Sequence, residues 1–187
     1  MNIMALDAEY NQPSGKTIQI GAAAYAARTG QLMGVYETYV NPGEPIQPFI
    51  TGLTGIKDSD VSGAPTIQEA FKALSDFHKK HKCFKNPIVW GSGCRNDSST
   101  IHQEANFRDD KGELLPNFMG YRVIDVKSQY QSIQIFHNKL VRGGLENVCD
   151  MLKIGFEGTA HTALADAKNT FRVWHFLNKQ FLQGYSK

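Results

Sequence analysis

The stretch MALDAEYNQPSGKTIQIGAAAYAARTGQLMGVYETYV, residues 4–40, decides the fold. The apolar run from Ile3 to Leu6 ends in Asp7, and Glu9 follows two positions later. Residues 17–27 read as a second buried strand, and residues 32–40 as a third. Between those two lie Arg28, Thr29, Gly30 and Gln31, a short turn with a glycine, which predicts a hairpin. Strands over 3–9, 17–27 and 32–40 thus predict an antiparallel meander. On a strand, residues i and i+2 point to the same face. Asp7 and Glu9 would therefore project together from the end of the first strand. Carboxylates that close repel each other unless positive charge sits between them. Taken alone, such a pair is common, and the simpler reading is a solvated turn.

The rest of the chain alternates helix and strand. NPGEPIQP (41–48) is a Pro/Gly loop. Thr66-Ile67-Gln68-Glu69 is a capping box after Pro65, and apolar residues recur at Ile67, Ala70, Phe71, Leu74 and Phe77. That spacing predicts a helix over 66–81. PIVWG (87–91) and YRVIDV (121–126) read as strands. A helix begins near Asn96 or Asp97, with Ile101 and Ala105 on its inner face. Leu145, Val148, Cys149 and Leu152 mark a short helix. Leu164, Ala167, Phe171 and Trp174 mark the last one, running to about Phe181. The order β-β-β-α-β-α-β-α-α predicts an α/β fold in which a mixed sheet, antiparallel then parallel, is flanked by helices. One domain over residues 1–187 is expected.

Composition narrows the function. A chain of 187 residues, 41% hydrophobic and 20% charged, is an ordinary globular protein with room for a core. A net charge of +2 excludes a polybasic tail, so any nucleic-acid contact is local. Cys83, Cys94 and Cys149 form no C-x-x-C pair, which fits a reduced, cytoplasmic setting and no zinc ribbon. The N-terminal apolar run is too short for a signal peptide, and no stretch is apolar enough to span a membrane. Oligomeric state stays open, with a homodimer among the options.

Two further stretches carry chemistry. AHTALADAKNT (160–170) holds His161 and Asp166, five residues apart. Five helical steps turn by roughly 140°, so the two converge only if His161 precedes the first turn. Asp166 lies beside the apolar stripe of the last helix and needs a partner there. In WGSGCRNDSSTI (90–101), Asp97 follows a strand and a glycine-rich turn, where a helix cap is the simplest role.

Taken together, the three stretches resemble the three motifs of the DEDDh 3′–5′ exonucleases. Asp7-Ala8-Glu9 resembles the first, Asp97 the second, and His161 with Asp166 the third. FITGLTGI (49–56) and the segment from Gly143 to Thr170 are most similar to the ERI/KapD-like exoribonuclease branch. The resemblance implies an RNase H-like fold. It implies two divalent cations, Mg²⁺ or Mn²⁺, held by Asp7, Glu9, Asp97 and Asp166, with His161 as general base. All-carboxylate ligands suit such hard ions. The implied partner is single-stranded nucleic acid with a free 3′ end, RNA favoured. Ala8, Tyr10, Leu53 and Thr54 are the candidate substrate contacts, with Tyr10 stacking on a base and the loop Thr51–Ile56 covering the terminal nucleotide. The first motif departs from the family where Tyr10-Asn11-Gln12 follow Glu9. The second is longer than usual, which leaves Asp109 and Asp110 as alternative acids. Asp125 is read as structural, and His78 and His81 as part of an exposed basic helix end with Lys79, Lys80 and Lys82. The competing functions are a DNA exonuclease of the same family, an endonuclease or phosphoesterase of the same fold class, and a binding module without catalysis.

Overall fold

In the computed structural model, which describes residues 1–91, 96–139 and 143–185 without the side chains of 181–185, the N-terminal strands form the expected meander. Strands β1 (Asn2–Tyr10), β2 (Thr17–Ala26) and β3 (Gln31–Tyr39) pair antiparallel, with Asp7 opposite Gly21. On the other side of β1, β4 (Ile88–Val89) is parallel to it, and β5 (Ile124–Asp125) is parallel to β4. The sheet order is β3-β2-β1-β4-β5, a mixed sheet. The apolar runs at 87–91 and 121–126 each contribute only two paired residues, fewer than their sequences predict.

The helices are α1 (Pro48–Thr54), α2 (Asp58–Val61), α3 (Ile67–Lys80), α4 (Asp97–Ala105), α5 (Val126–Phe136), α6 (Leu145–Met151) and α7 (Ala163–Tyr185). Three of them correct the sequence reading. Helix α1 occupies most of the expected loop at 51–56, and α2 follows it. Helix α5 follows β5 directly, capped by Asp125, whose Oδ1 accepts from the Ser128 amide at 2.9 Å. Asp125 is thus structural, as expected. Among the described residues, no helix is long and apolar enough to cross a membrane.

Alternation along β1 and β2 divides the core in two. Met4, Leu6 and Ala8 of β1 and Ile20 and Ala22 of β2 pack against α3 and α4. Ile3, Ala5, Ala23 and Tyr25 face the other way, against α5, α6 and α7. Helix α3 starts with the predicted capping box: Thr66 Oγ1 accepts from the Glu69 amide, and Glu69 accepts from the Thr66 amide. His78, expected at an exposed helix end, is instead buried against the Phe118 ring. Burial holds its imidazole below the ordinary range.

The docking of α7 depends on Gly21. A Cβ at that position would lie 2.1 Å from the Leu164 nitrogen and 2.2 Å from the Ala163 carbonyl carbon. No side chain fits there, so the helix backbone rests on the strand backbone. Beside it, the buried Gln19 side chain accepts a hydrogen bond from the Ala163 amide at 3.0 Å, satisfying one of the free amides at the start of α7. Replacing Gly21 with alanine is expected to push the N-terminus of α7 off the sheet. Overpacking of this kind costs about 3 kcal/mol, a fall in Tm on the order of 5–10 °C for a chain of this size. Thermal unfolding checks it, and an unchanged Tm would refute the account of the contact.

Candidate active site

Asp7 and Glu9 sit where β1 outruns its neighbour. Strand β4 meets β1 at Ala5 and ends at Val89, so the last residues of β1 extend past it. In open α/β sheets, ligands collect at this carboxyl edge, where strand direction or order switches. Here the switch from antiparallel to parallel pairing falls on β1 itself.

Two helix starts converge on that edge. Asp97 is the first residue of α4, behind the N-cap Asn96, whose Oδ1 accepts from the Ser99 amide at 3.0 Å. Asp166 lies in the first turn of α7. His161 precedes that helix by two residues, in the left-handed conformation at φ 61°. This is the arrangement that a five-residue spacing requires. Ligand-type atoms of Glu9, His161 and Asp166 all lie within 4.8 Å of one another. The cleft they share holds about 450 Å³ and is lined also by Asp7, Ala8, Trp90 and Phe156.

The segment that carries His161 is tied to α7. The wholly buried Asn169 accepts from the Glu157 amide at 3.1 Å and donates to the Glu157 carbonyl at 2.9 Å. Arg172 donates to the carbonyls of Ile154 and Gly155 at 2.6 and 2.9 Å. Neither residue touches the cleft, yet both fix the loop that ends in His161. A buried asparagine one turn beyond Asp166 is the signal a sequence offers for this role.

Other candidates lie elsewhere. The Tyr10 ring packs with the α3–α4 core, and its hydroxyl donates to Asp97 Oδ1 at 2.8 Å, so Tyr10 buttresses an acid rather than lining the cleft. Leu53 and Thr54 belong to α1, where Thr54 Oγ1 donates to the Ile50 carbonyl, and neither lines the cleft. Asp109 and Asp110 sit in an exposed turn after α4, and Asp109 accepts from the amides of Lys111 and Glu113. Cys94 and its neighbours in the second motif fall outside the described residues. Conversely, Glu146 and Asn147 at the start of α6 line the cleft, although the sequence pattern does not single them out.

The four acids strain against one another. Burial pushes Asp7 well above the ordinary carboxylate range, and Asp97, Asp166 and Glu9 add to the rise. Burial, then Asp166 and Asp97, push Glu9 up to about 7. Burial carries Asp97 to about 6 against the Tyr10 hydrogen bond, and Asp166 to about 6 against the pull of His161. Asp166 Oδ1 is buried with no hydrogen-bond partner. No lysine or arginine is among the described residues that line the cleft. A cluster of hard anionic ligands, one of them orphaned, fits divalent cations bound through oxygen.

This charge pattern fixes a pH dependence. Protonated forms are favoured in the folded state, so the metal-free fold binds more protons than the unfolded chain between about pH 4 and 7. Its stability should therefore fall as pH rises through that window. In EDTA, Tm is expected to drop from pH 5 to 7.5, and Asp166→Asn should flatten the drop. Adding Mn²⁺ should raise Tm and release protons, more at pH 6 than at pH 8, because ligands must be deprotonated to bind. Scanning calorimetry and proton release in weakly buffered solution measure both. A Tm that rises with pH in EDTA would contradict the electrostatics.

Comparison with known proteins gives the family of the chain. The model of the RNase T exonuclease family matches residues 4–174. The DNA polymerase III PolC-type protein of Caldanaerobacter subterraneus subsp. tengcongensis is 42% identical over 62 residues, which is 33% of this chain and 4% of that protein. RNA exonuclease 4 of Cryptococcus neoformans var. neoformans is 24% identical over 149 residues, 79% of this chain and 31% of that protein. The chain thus spans less than a third of the length of either relative. The nuclease domain of 3′hExo, a DEDDh family member bound to rAMP, superposes with a TM-score of 0.75 at 18% identity, over 96% of this chain and 92% of that one. The chain belongs to the RNase T exonuclease family and has the RNase H-like fold of the DEDDh 3′-exonucleases.

Proposed function

We propose that this protein is a metal-dependent 3′–5′ exonuclease that removes nucleoside monophosphates from the 3′ end of a single strand, with RNA favoured. The observation that carries the reading is the meeting of Asp7, Glu9, Asp97 and Asp166 beside His161 at one sheet edge. Asp7, Glu9, Asp97 and Asp166 would hold two ions, Mg²⁺ or Mn²⁺, which when bound polarise the phosphate and offset the charge that builds on its oxygens.

The remaining work falls to the protein's own groups. An imidazole nitrogen of His161 takes the proton of the attacking water, and the exposure of that side chain lets it return the proton to solvent. The water oxygen bonds to phosphorus as the bond from phosphorus to the 3′ oxygen breaks, and that oxygen takes a proton from solvent, leaving the strand one nucleotide shorter with a new 3′ hydroxyl. Tyr10 holds Asp97 in a single orientation through its hydroxyl. Trp90 and Phe156 line the cleft and are the aromatic side chains there on which the terminal base would stack. Ala8 lines the cleft between the two acids, while its methyl packs in the α3–α4 core. A cleft of about 450 Å³ suits the end of one strand better than a duplex.

The RNA preference rests on resemblance to the ERI/KapD-like branch and on the similarity to RNA exonuclease 4. The similarity to the PolC-type polymerase favours a DNA exonuclease as the second reading. An RNA-selective site must read the 2′ hydroxyl. Comparing kcat/KM on matched RNA and DNA strands, under one metal and one salt concentration, separates the two. A higher value on RNA is expected, and parity or a higher value on DNA would select the second reading. Strands labelled at either end also test the direction, since 5′-labelled substrate should shorten in single steps.

Two substitutions test the roles. Asp166→Asn should abolish turnover without unfolding the protein. His161→Asn should slow hydrolysis by about 10²–10⁴-fold while leaving Mn²⁺ affinity nearly unchanged. Asparagine is the choice at 161 because it tolerates the left-handed backbone. Loss of Mn²⁺ binding in that variant would make His161 a ligand instead of a base.

A further inference from the structure

A second hollow lies on the flank of α7 that faces away from the catalytic cleft. Lys168, Arg172, His175 and Lys179 follow at steps of four, three and four residues, so they share one face of the helix. They line a groove of about 490 Å³ between α7, the β2–β3 hairpin and the segment 154–157. From His175 and Lys179 the hollow runs into a smaller recess that contains Arg28 and Trp174. One carboxylate, Glu157, faces the run, and it is paired with Arg172 at 3.1 Å. Among the described residues, Lys168, Lys179 and Arg28 have no ion pair. Four cations against one acid is a marked local excess in a chain whose net charge is +2.

The groove is built by packing. Tyr25 and Phe171 stack beneath it with ring centroids 3.7 Å apart and planes 1° from parallel. At the hairpin, a Cβ on Gly30 would lie 2.8 Å from the His175 ring. Phe176 lines the groove, and Trp174 lines the recess beside it. Cations interleaved with aromatic faces are what a single-stranded nucleic acid needs: charge for its phosphates and flat surfaces for its bases. From Lys168 to Lys179 the helix rises about 16 Å, the span of roughly five stacked phosphates or fewer extended ones. The segment 154–161 is the wall between the two hollows. Ile154 and Glu157 line the groove, whereas Phe156, Ala160 and His161 line the cleft.

We propose that this groove grips the backbone of the substrate strand 5′ of the nucleotide being removed, as a phosphate track without sequence preference. The proposal rests on the reading of the protein as a nuclease acting on single strands. Its test is the double variant Lys168→Ala/Lys179→Ala, assayed beside the wild type on a dinucleotide of uridine without a terminal phosphate and on an oligouridine of about 20 nucleotides. Each lost phosphate contact removes roughly 0.7 from the salt slope, and at 0.1 M salt about 0.7 log units of affinity. The KM for the long strand should rise by about 20-fold, kcat should stay the same, and the slope of log KM against log salt should shrink by about 1.4. On the dinucleotide, whose one phosphodiester is the one cut and which has no phosphate left to lie 5′ of it, kcat/KM should change less than twofold. An unchanged KM on the long strand, or an equal loss on both substrates, would overturn the groove while leaving the nuclease reading intact. Absence of turnover by the wild type on both RNA and DNA would overturn the nuclease reading and the groove with it.

Discussion

The structure turns on the contact between two backbones at Gly21. Most helices rest on a sheet through side chains, which hold the two layers apart. Here the first turn of α7 lies directly on β2, opposite Asp7 in the strand register. That closeness brings Asp166 and His161, two residues before the helix, to within reach of Glu9. Gln19 then fixes the helix start by accepting from the first amide. A bulkier residue at 21 would separate the histidine and acid of the third motif from the acids of the first, and no local change in either motif could restore them.

Around that contact the site conflicts with the stability of its own fold. Buried carboxylates repel, and a buried oxygen on Asp166 lacks any donor. Such conflicts are expected where a site serves chemistry rather than folding. The protein offsets them with small, specific devices. Tyr10 gives Asp97 a neutral donor, Asn96 caps the helix on which Asp97 sits, and Asn169 and Arg172 fasten the loop before α7. Each device acts on an acid or on His161 from outside the cleft.

Much of this was legible in the sequence because it is local. A two-residue period sets Asp7 and Glu9 on one face, and a helix start explains how His161 and Asp166 meet. The N-terminal meander and the capping box of α3 are likewise written in a few adjacent residues. What escaped the sequence is either short or non-local. Strands β4 and β5 pair over two residues each, so their apolar runs promise more sheet than the fold uses. In α5, Val126 and Tyr130 are buried while Ile135 and Phe136 are exposed, which blurs the helical period that would have marked it. Helix α2, with four residues, is too short to show a period at all, and α1 buries only Ile50. The wall formed by Glu146 and Asn147, and the role of Gly21, depend on segments far apart in the chain.

The length of α7 has a consequence for how this protein can change over generations. One helix supplies an acid of the site and, through Ala167, Phe171 and Leu177, much of the core on that side of the sheet. Core positions along it therefore behave as active-site positions at a distance: a volume change at Phe171 tilts the same rod that aims Asp166. A saturation scan scored on activity alone would rank these apolar residues beside the acids, although none of the three lines the cleft. Drift in the α3–α4 layer is freer, because what that layer delivers to the site is held at a single helix start. The two halves of the core should accordingly diversify at different rates, with the α7 side the slower.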